Sequence, residues 1–149
     1  MPATSLPIRQ KPDPLVHSGS KPTWGQIARL CGDRVAILFE ELRRRVAHIL
    51  GLMEDLCLDE TSLTWTPRYR VNGRAIFVVE ISPGALEAQM ELTRAESEKL
   101  AASRKLSRRA KSWLDAARAG SSPFRVRLSN SADVSSLAGL ASQLSKTRQ

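Results

Sequence analysis

The chain has 149 residues, 42% of them hydrophobic and 26% charged, a composition typical of a globular protein with room for one domain. Its longest uncharged apolar run, Val35 to Phe39, is far shorter than the roughly 20 residues that span a bilayer. No secretory signal pattern opens the sequence, so we expect a cytoplasmic protein that does not enter a membrane.

The net charge of +8 is concentrated toward one end of the sequence. Residues 93–149 carry twelve Lys and Arg against four acids, whereas residues 23–92 carry eight Arg against ten acids. Such asymmetry favours a polyanionic partner, and nucleic acid is one example.

The first 22 residues differ in composition from the rest. They contain five of the eight prolines and few large apolar side chains. A segment of this kind does not bury enough surface to offset its chain entropy. We therefore predict a disordered Pro-rich tail over 1–22 and a single domain over 23–149.

Two helices are predicted at the start of the domain. Thr23 and Gln26 form a capping box for a short helix that ends at Cys31. Asp33 is expected to cap the second helix, in which apolar residues recur at helical spacing. That apolar stripe consists of Val35, Leu38, Phe39, Leu42, Val46, Ile49, Leu50 and Met53.

An antiparallel sheet is predicted next. Asn72-Gly73 is a strong hairpin signal because both residues tolerate a positive φ. Pro83-Gly84 predicts a second tight turn. The segment between these turns is nearly all apolar, the segment after Gly84 alternates apolar and polar residues, and a further strand is expected around Thr64 to Thr66.

Alternating helix and strand signals complete the domain. A capping box at Thr93 and a cap at Ser107 each begin a helix, Phe124 to Leu128 alternates as a strand, and a last helix starts near Ala132. This order indicates an α+β fold with four to five antiparallel strands and helices packed mainly on one face.

The two turns also assign the faces of the sheet. With two-residue loops, Tyr69 would lie opposite Ile76 and Glu80 opposite Glu87, and Phe77 would face the helices. The other face could bind an amphipathic or cationic small molecule by stacking and charge. Its predicted ligand-binding residues are Trp65, Tyr69, Glu80, Glu87, Gln89 and Glu91. The alternative is a solvated face, or one covered by the tail or by a second subunit of a homodimer.

No catalytic residue, metal site or cofactor is predicted. His48 is the domain's only histidine, expected on the long helix, and a Ser/His/Asp or Cys/His site would depend on it alone. Cys31 and Cys57 lack neighbours at metal-ligand spacing and are expected to be buried thiols that act as small hydrophobes. Enzyme is therefore the least expected class of protein.

The clearest functional feature is the basic run from Arg104 to Lys111. Clustered cations of this kind bind phosphates and release counterions. The alternative is a solvated helix face, since no RNA-binding or helix-turn-helix motif accompanies the run. The residues predicted to bind a polyanion are Arg104, Lys105, Arg108, Arg109, Lys111, Arg118, Arg125 and Arg127.

Four stretches of the chain carry a likeness to a known family: the segment from Gly73 through Ile81-Ser82-Pro83 to Leu92, the helix over 106–119, the strand Phe124 to Leu128 and the closing helix. In the order of these elements the chain resembles an uncharacterised bacterial family of small α+β proteins near the YdhG-like group. Family members often have Gly-Trp ahead of the hairpin, where this chain has Leu63-Thr64-Trp65. The resemblance implies an antiparallel sheet flanked by helices, and no known activity.

Overall fold

A computed structural model describes residues 21–59, 64–119 and 123–148 of the chain. These residues form five helices and one five-stranded antiparallel sheet, which confirms the α+β prediction. The predicted tail over 1–22 lies outside the described residues except for Lys21 and Pro22, and Pro22 is buried. The single-domain boundary at residue 23 stays a prediction.

The first two helices, α1 (Trp24–Cys31) and α2 (Asp33–Val46), follow each other across Gly32. The capping box of α1 is confirmed: the Thr23 hydroxyl accepts from the Gln26 amide at 3.2 Å, and the Gln26 side chain accepts from the Thr23 amide at 2.8 Å. The cap of α2 was assigned to the wrong residue. Gly32, with a φ of 77°, occupies the cap position, and Asp33 is the first helical residue.

The second helix ends earlier than its apolar stripe predicts. A turn over residues 47–51 follows Val46, and strand β1 (Leu52–Asp59) starts where the helix was expected to continue. Gly51 has a φ of 77°, a conformation that interrupts a helix. His48 therefore lies in a turn, and Leu50 and Met53, expected in the core, are 80% and 69% exposed.

The sheet has the strand order β1-β2-β3-β4-β5. Its remaining strands are β2 (Thr64–Val71), β3 (Arg74–Ser82), β4 (Ala85–Met90) and β5 (Phe124–Arg127). Both predicted hairpins are confirmed. Asn72 and Gly73 have φ values of 53° and 78°, and Ser82 pairs with Ala85 across the second turn.

A β-bulge in β3 changes the predicted register between β2 and β3. Arg70 pairs with Ala75 as expected, but Tyr69 pairs with Phe77, so Ile76 is an extra residue in β3. Tyr69 consequently lies on the same face as Phe77, and the two rings stack with 4.5 Å between their centroids. The prediction that Tyr69 lies on the open face is therefore wrong.

The remaining helices are α3 (Arg94–Ala101), α4 (Arg108–Ala119) and α5 (Ser131–Thr147). The second capping box is confirmed, since the Thr93 hydroxyl accepts from the Glu96 amide at 3.1 Å and the Glu96 side chain accepts from the Thr93 amide at 3.0 Å. The apolar stripe of α5 is fully buried: Val134, Leu137, Leu140 and Leu144 are each 0% exposed.

The helices form a layer on one face of the sheet: α1, α2 and α5 contact its strands, and α3 and α4 pack against α5. The side chains of Phe77, Val79, Leu86 and Ala88 point into this layer and are buried, as the alternation along β3 and β4 predicts. The opposite face, here called the open face, carries mainly polar and charged side chains, which are half-buried at the centre of β3 and β4 and exposed on β5. In the described part of the chain, no helix is long and apolar enough to cross a membrane.

Candidate polyanion-binding surface

Five cations surround the corner at which the chain passes from α3 to α4. We call this set, Arg104, Lys105, Arg108, Arg109 and Lys111, the basic corner. Lys111 is half-buried and the other four residues are exposed. The sequence predicted this grouping as a run, and the structure keeps its members on one connection and the first turn of one helix. The side chain of Arg118 lies outside the described part of the structure.

Hydrogen bonds fix the backbone of the corner. The Ser107 hydroxyl accepts from the Ala110 amide at 3.1 Å, which caps α4 as predicted. The same hydroxyl lies 2.8 Å from that of Ser136 in α5. Leu106, between the cations, is buried in the core. The corner is thus attached to the helical layer at two successive residues, and its basic side chains project from a defined position.

One member of the basic corner, Arg109, forms an ion pair that stabilises the fold. The guanidinium of Arg109 lies 2.6 Å from a carboxylate oxygen of Asp133, whose side chain is only 3% exposed. The other oxygen of Asp133 accepts from the Ser129 amide at 2.7 Å, ahead of α5. This pair could not be predicted from the sequence, because its members are separated along the chain and only the packing of α4 against α5 brings them together.

None of the other four members, Lys111 included, has an acidic partner among the residues that the structure describes, and three of the four are exposed. Arg104, Lys105 and Arg108 form no ion pair with any described carboxylate. Their charges are not neutralised within that part of the chain. This is the electrostatic condition for binding a phosphate-bearing polymer.

An open cleft of about 540 Å³ adjoins the basic corner. Its described lining residues are Arg108, Arg109, Ser112 and Trp113. Trp113 is half-buried, packed against the core on one side. The sequence did not indicate that the indole of Trp113 borders the cations.

Arg125 and Arg127 do not belong to this surface. They lie on the open face, on the other side of the sheet from α4, because they pair across β4 with Gln89 and Glu87. Arg125 also forms an ion pair of 2.9 Å with Glu80. The predicted polyanion site therefore divides into the basic corner and two arginines that face away from it.

The two aromatic residues of the predicted small-molecule site do not lie on the open face. Tyr69 is 0% exposed, and its hydroxyl donates to Glu54 at 2.8 Å. Trp65, four residues earlier on β2, lies on the same side as Tyr69 and packs against the core. The physical cause for Tyr69 is the bulge at Ile76, which shifts β3 by one residue against β2.

The acidic half of that site is present but partly neutralised. Glu80 and Glu87 are opposed across β3 and β4, Glu80 is bound by Arg125, and Gln89 lies beside them on the open face. Glu91 is exposed beyond the end of β4. A cationic ligand would have to displace an arginine to reach Glu80. The homodimer alternative for this face stays a prediction.

A cleft of about 590 Å³ lies at the start of β3 and the end of β4, near the bulge. Arg148 lines it and is only 7% exposed in its side chain. It donates to Glu96 at 2.7 Å, to the carbonyl oxygen of Ala75 at 2.8 Å and to that of Glu91 at 3.2 Å. Through these hydrogen bonds the guanidinium joins the end of α5 to the sheet, so the role of Arg148 is to stabilise the fold. Sequence reasoning missed this contact.

In the described segments, no three side chains among His, Cys, Asp and Glu are placed to hold a metal ion. Cys31 is buried, and burial raises the pKa of its thiol to about 11. Cys57, predicted to be buried, is half-buried on the open face, because β1 replaces the expected end of the helix. Both cysteines are free thiols.

Comparison of the chain with protein-family models, with curated proteins and with solved structures finds no match. The basic corner and its cleft must therefore be interpreted from their own chemistry.

Proposed function

We propose that the protein binds a phosphate-bearing polyanion through the basic corner. The observation that carries the proposal is that Arg104, Lys105 and Arg108 are exposed around one fixed turn and pair with no described carboxylate. Cations held in this way can each neutralise a phosphate and release the counterions condensed on the polymer.

The distribution of charge elsewhere supports this choice of surface. On the open face, ion pairs join Glu80 to Arg125 and Asp55 to Arg70, so acidic and basic groups compensate each other. On α2, Arg43 is bound by Glu54 and Glu40. Part of the excess positive charge of residues 93–149 is exposed at the corner, where a polyanion would experience attraction with little local repulsion.

We also propose that the chain is related to the family that it resembles. A protein near the YdhG-like group would have this order of strands and helices, and that likeness by itself assigns no activity. The choice of polyanion binding therefore depends on the basic corner alone.

The proposal is tested by the salt dependence of binding to a labelled oligonucleotide, followed by fluorescence anisotropy. The variant Arg104→Ala/Arg108→Ala removes two of the proposed phosphate contacts. We expect the slope of log K against log salt to fall by about two, with weaker binding to every sequence alike.

A matched control removes the same charge elsewhere. Arg44, on α2, and Arg74, at the start of β3, are both exposed. The variant Arg44→Ala/Arg74→Ala has the same net charge as the corner variant and should keep most of the slope. If the slope falls equally in the two variants, net charge alone attracts the polymer. If the affinity does not depend on salt concentration, the proposal is excluded.

A further inference from the structure

Trp113 is the tryptophan that borders the unneutralised cations. Along α4, Arg109 and Trp113 are four residues apart, as are Arg108 and Ser112, so these pairs are neighbours on the helix surface. All four residues line the open cleft beside the basic corner. The cleft therefore combines guanidinium groups, a hydroxyl and an indole.

The other two tryptophans show why this position differs. Arg43 lies over the ring of Trp24, 4.4 Å from its centroid, and is itself bound to Glu54, so that ring face is already covered. Trp65 lies on the helix side of the sheet and packs against the core. Trp113 also packs against the core, but it borders open space next to arginine.

Arg109 is held beside Trp113 by Asp133. The ion pair of 2.6 Å with this buried carboxylate fixes one wall of the cleft before any ligand arrives. A binding surface that is ordered in advance loses less side-chain entropy when it binds. Arg108, at the other side, makes no ion pair with a described carboxylate and can meet a phosphate.

We infer that the polyanion is single-stranded nucleic acid, with a base stacked on Trp113 and its backbone phosphates on Arg104, Lys105 and Arg108. This inference rests on the proposed function, which it makes more specific. A half-buried indole whose free edge lies next to cations can bind an unpaired strand, because every base presents a flat face and every nucleotide a phosphate. In a duplex the base faces are already stacked on each other and cannot reach the indole.

The test measures how tightly the wild-type protein binds two oligomers that carry the same phosphate charge. One is an oligothymidylate of about 16 nucleotides, and the other is an abasic oligomer of the same length that keeps the phosphates but lacks the bases. Duplex DNA and heparin complete the set. We expect the oligothymidylate to bind about tenfold more tightly than the abasic oligomer, which corresponds to one stacked base.

Substitution of the indole gives the second arm. In Trp113→Leu the affinity for oligothymidylate should fall to that for the abasic oligomer, while the affinity for heparin stays unchanged and shows that the variant is folded. The matched control is Trp24→Leu, which removes an indole beside another arginine and should leave the preference for bases intact.

The outcomes separate this inference from the proposed function. If the abasic oligomer, duplex and heparin bind as tightly as oligothymidylate, polyanion binding stands and stacking on Trp113 is excluded. If none of the four ligands binds, the proposed function fails and the inference fails with it. If Trp113→Leu loses heparin binding as well, the inference is judged from the wild-type protein alone. Its preference for oligothymidylate over the abasic oligomer then supports or excludes stacking.

Discussion

The guanidinium of Arg109 lies 2.6 Å from the buried carboxylate of Asp133, whereas Arg108, the preceding residue of α4, makes no ion pair with a described carboxylate. Two adjacent arginines of one helix thus have different roles. Arg109 stabilises the contact between α4 and α5, and Arg108 is available to a ligand.

Substitution of Arg109 should therefore cost stability, and substitution of Arg108 should not. We expect Arg109→Ala to lower the free energy of unfolding by about 1–3 kcal/mol, because a buried carboxylate loses its cation. Arg108→Ala should change it by no more than about 0.5 kcal/mol. Urea unfolding at neutral pH measures both. Addition of Asp133→Asn to Arg109→Ala should recover part of the loss, and equal effects of the two single variants would contradict the assignment.

The ion pair between Glu96 and Arg148 should make the stability depend on pH. The hydrogen bond from Arg148 lowers the pKa of Glu96 from an ordinary value of 4.5 to about 2. The unfolded chain therefore takes up this proton first as the pH falls. The contribution of Glu96, about 3 kcal/mol, is complete above about pH 5 and is lost progressively toward pH 2.

The variant Glu96→Gln isolates this contribution. It should be less stable than the wild-type protein at neutral pH, and the difference should shrink as the pH falls from 5 toward 2. Denaturant unfolding at several pH values gives the comparison. A difference that stays constant over this range would show that Glu96 does not titrate with a lowered pKa.

Tyr69, the chain's only tyrosine, should not ionise while the protein is folded. Burial raises its pKa, and the neighbouring Glu54 carboxylate raises it further. Because the folded pKa exceeds the unfolded value of about 10, stability is lost as the pH rises above that value. Absorbance of tyrosinate should appear only together with unfolding, which circular dichroism follows. Reversible ionisation near pH 10 in the folded protein would place the hydroxyl in water.

The two thiols should react at different rates with a thiol reagent. Cys57 is half-buried on the open face, while Cys31 is 2% exposed with a pKa of about 11. We expect one thiol to be labelled in the native protein and both in denaturant. Cys57→Ser should abolish native labelling. Rapid labelling of both thiols in the native wild-type protein would contradict the position of Cys31.

The sequence predicted most elements because their signals are local. The capping boxes at Thr23 and Thr93 and the turn at Asn72-Gly73 each depend on residues within a few positions of one another. Strand β1 was missed because Ile49, Leu50 and Met53 continue the helical spacing of α2. The turn over residues 47–51 separates the two elements, and its one local signal, Gly51, is weak evidence in a sequence.

Only part of the candidate surface could be predicted from the sequence, because only part of it depends on local signals. The basic run is contiguous in sequence, so its exposure at one corner could be anticipated. The pairing of Arg109 with Asp133 and the departure of Arg125 and Arg127 to the open face depend on how α4, α5 and β5 pack, which no short pattern encodes. The bulge is likewise a tertiary feature, since the turn fixes the partner of Arg70 but not that of Tyr69.

The bulge also determines which change of length β3 can accept. Loss of a residue from a strand ordinarily turns every later side chain to the opposite face. Deletion of Ile76 would not do so, because Tyr69 already lies opposite Phe77 and Val78 already lies opposite Gln89. A relative one residue shorter at this point would keep both hairpins and the same buried pattern, with one apolar side chain fewer.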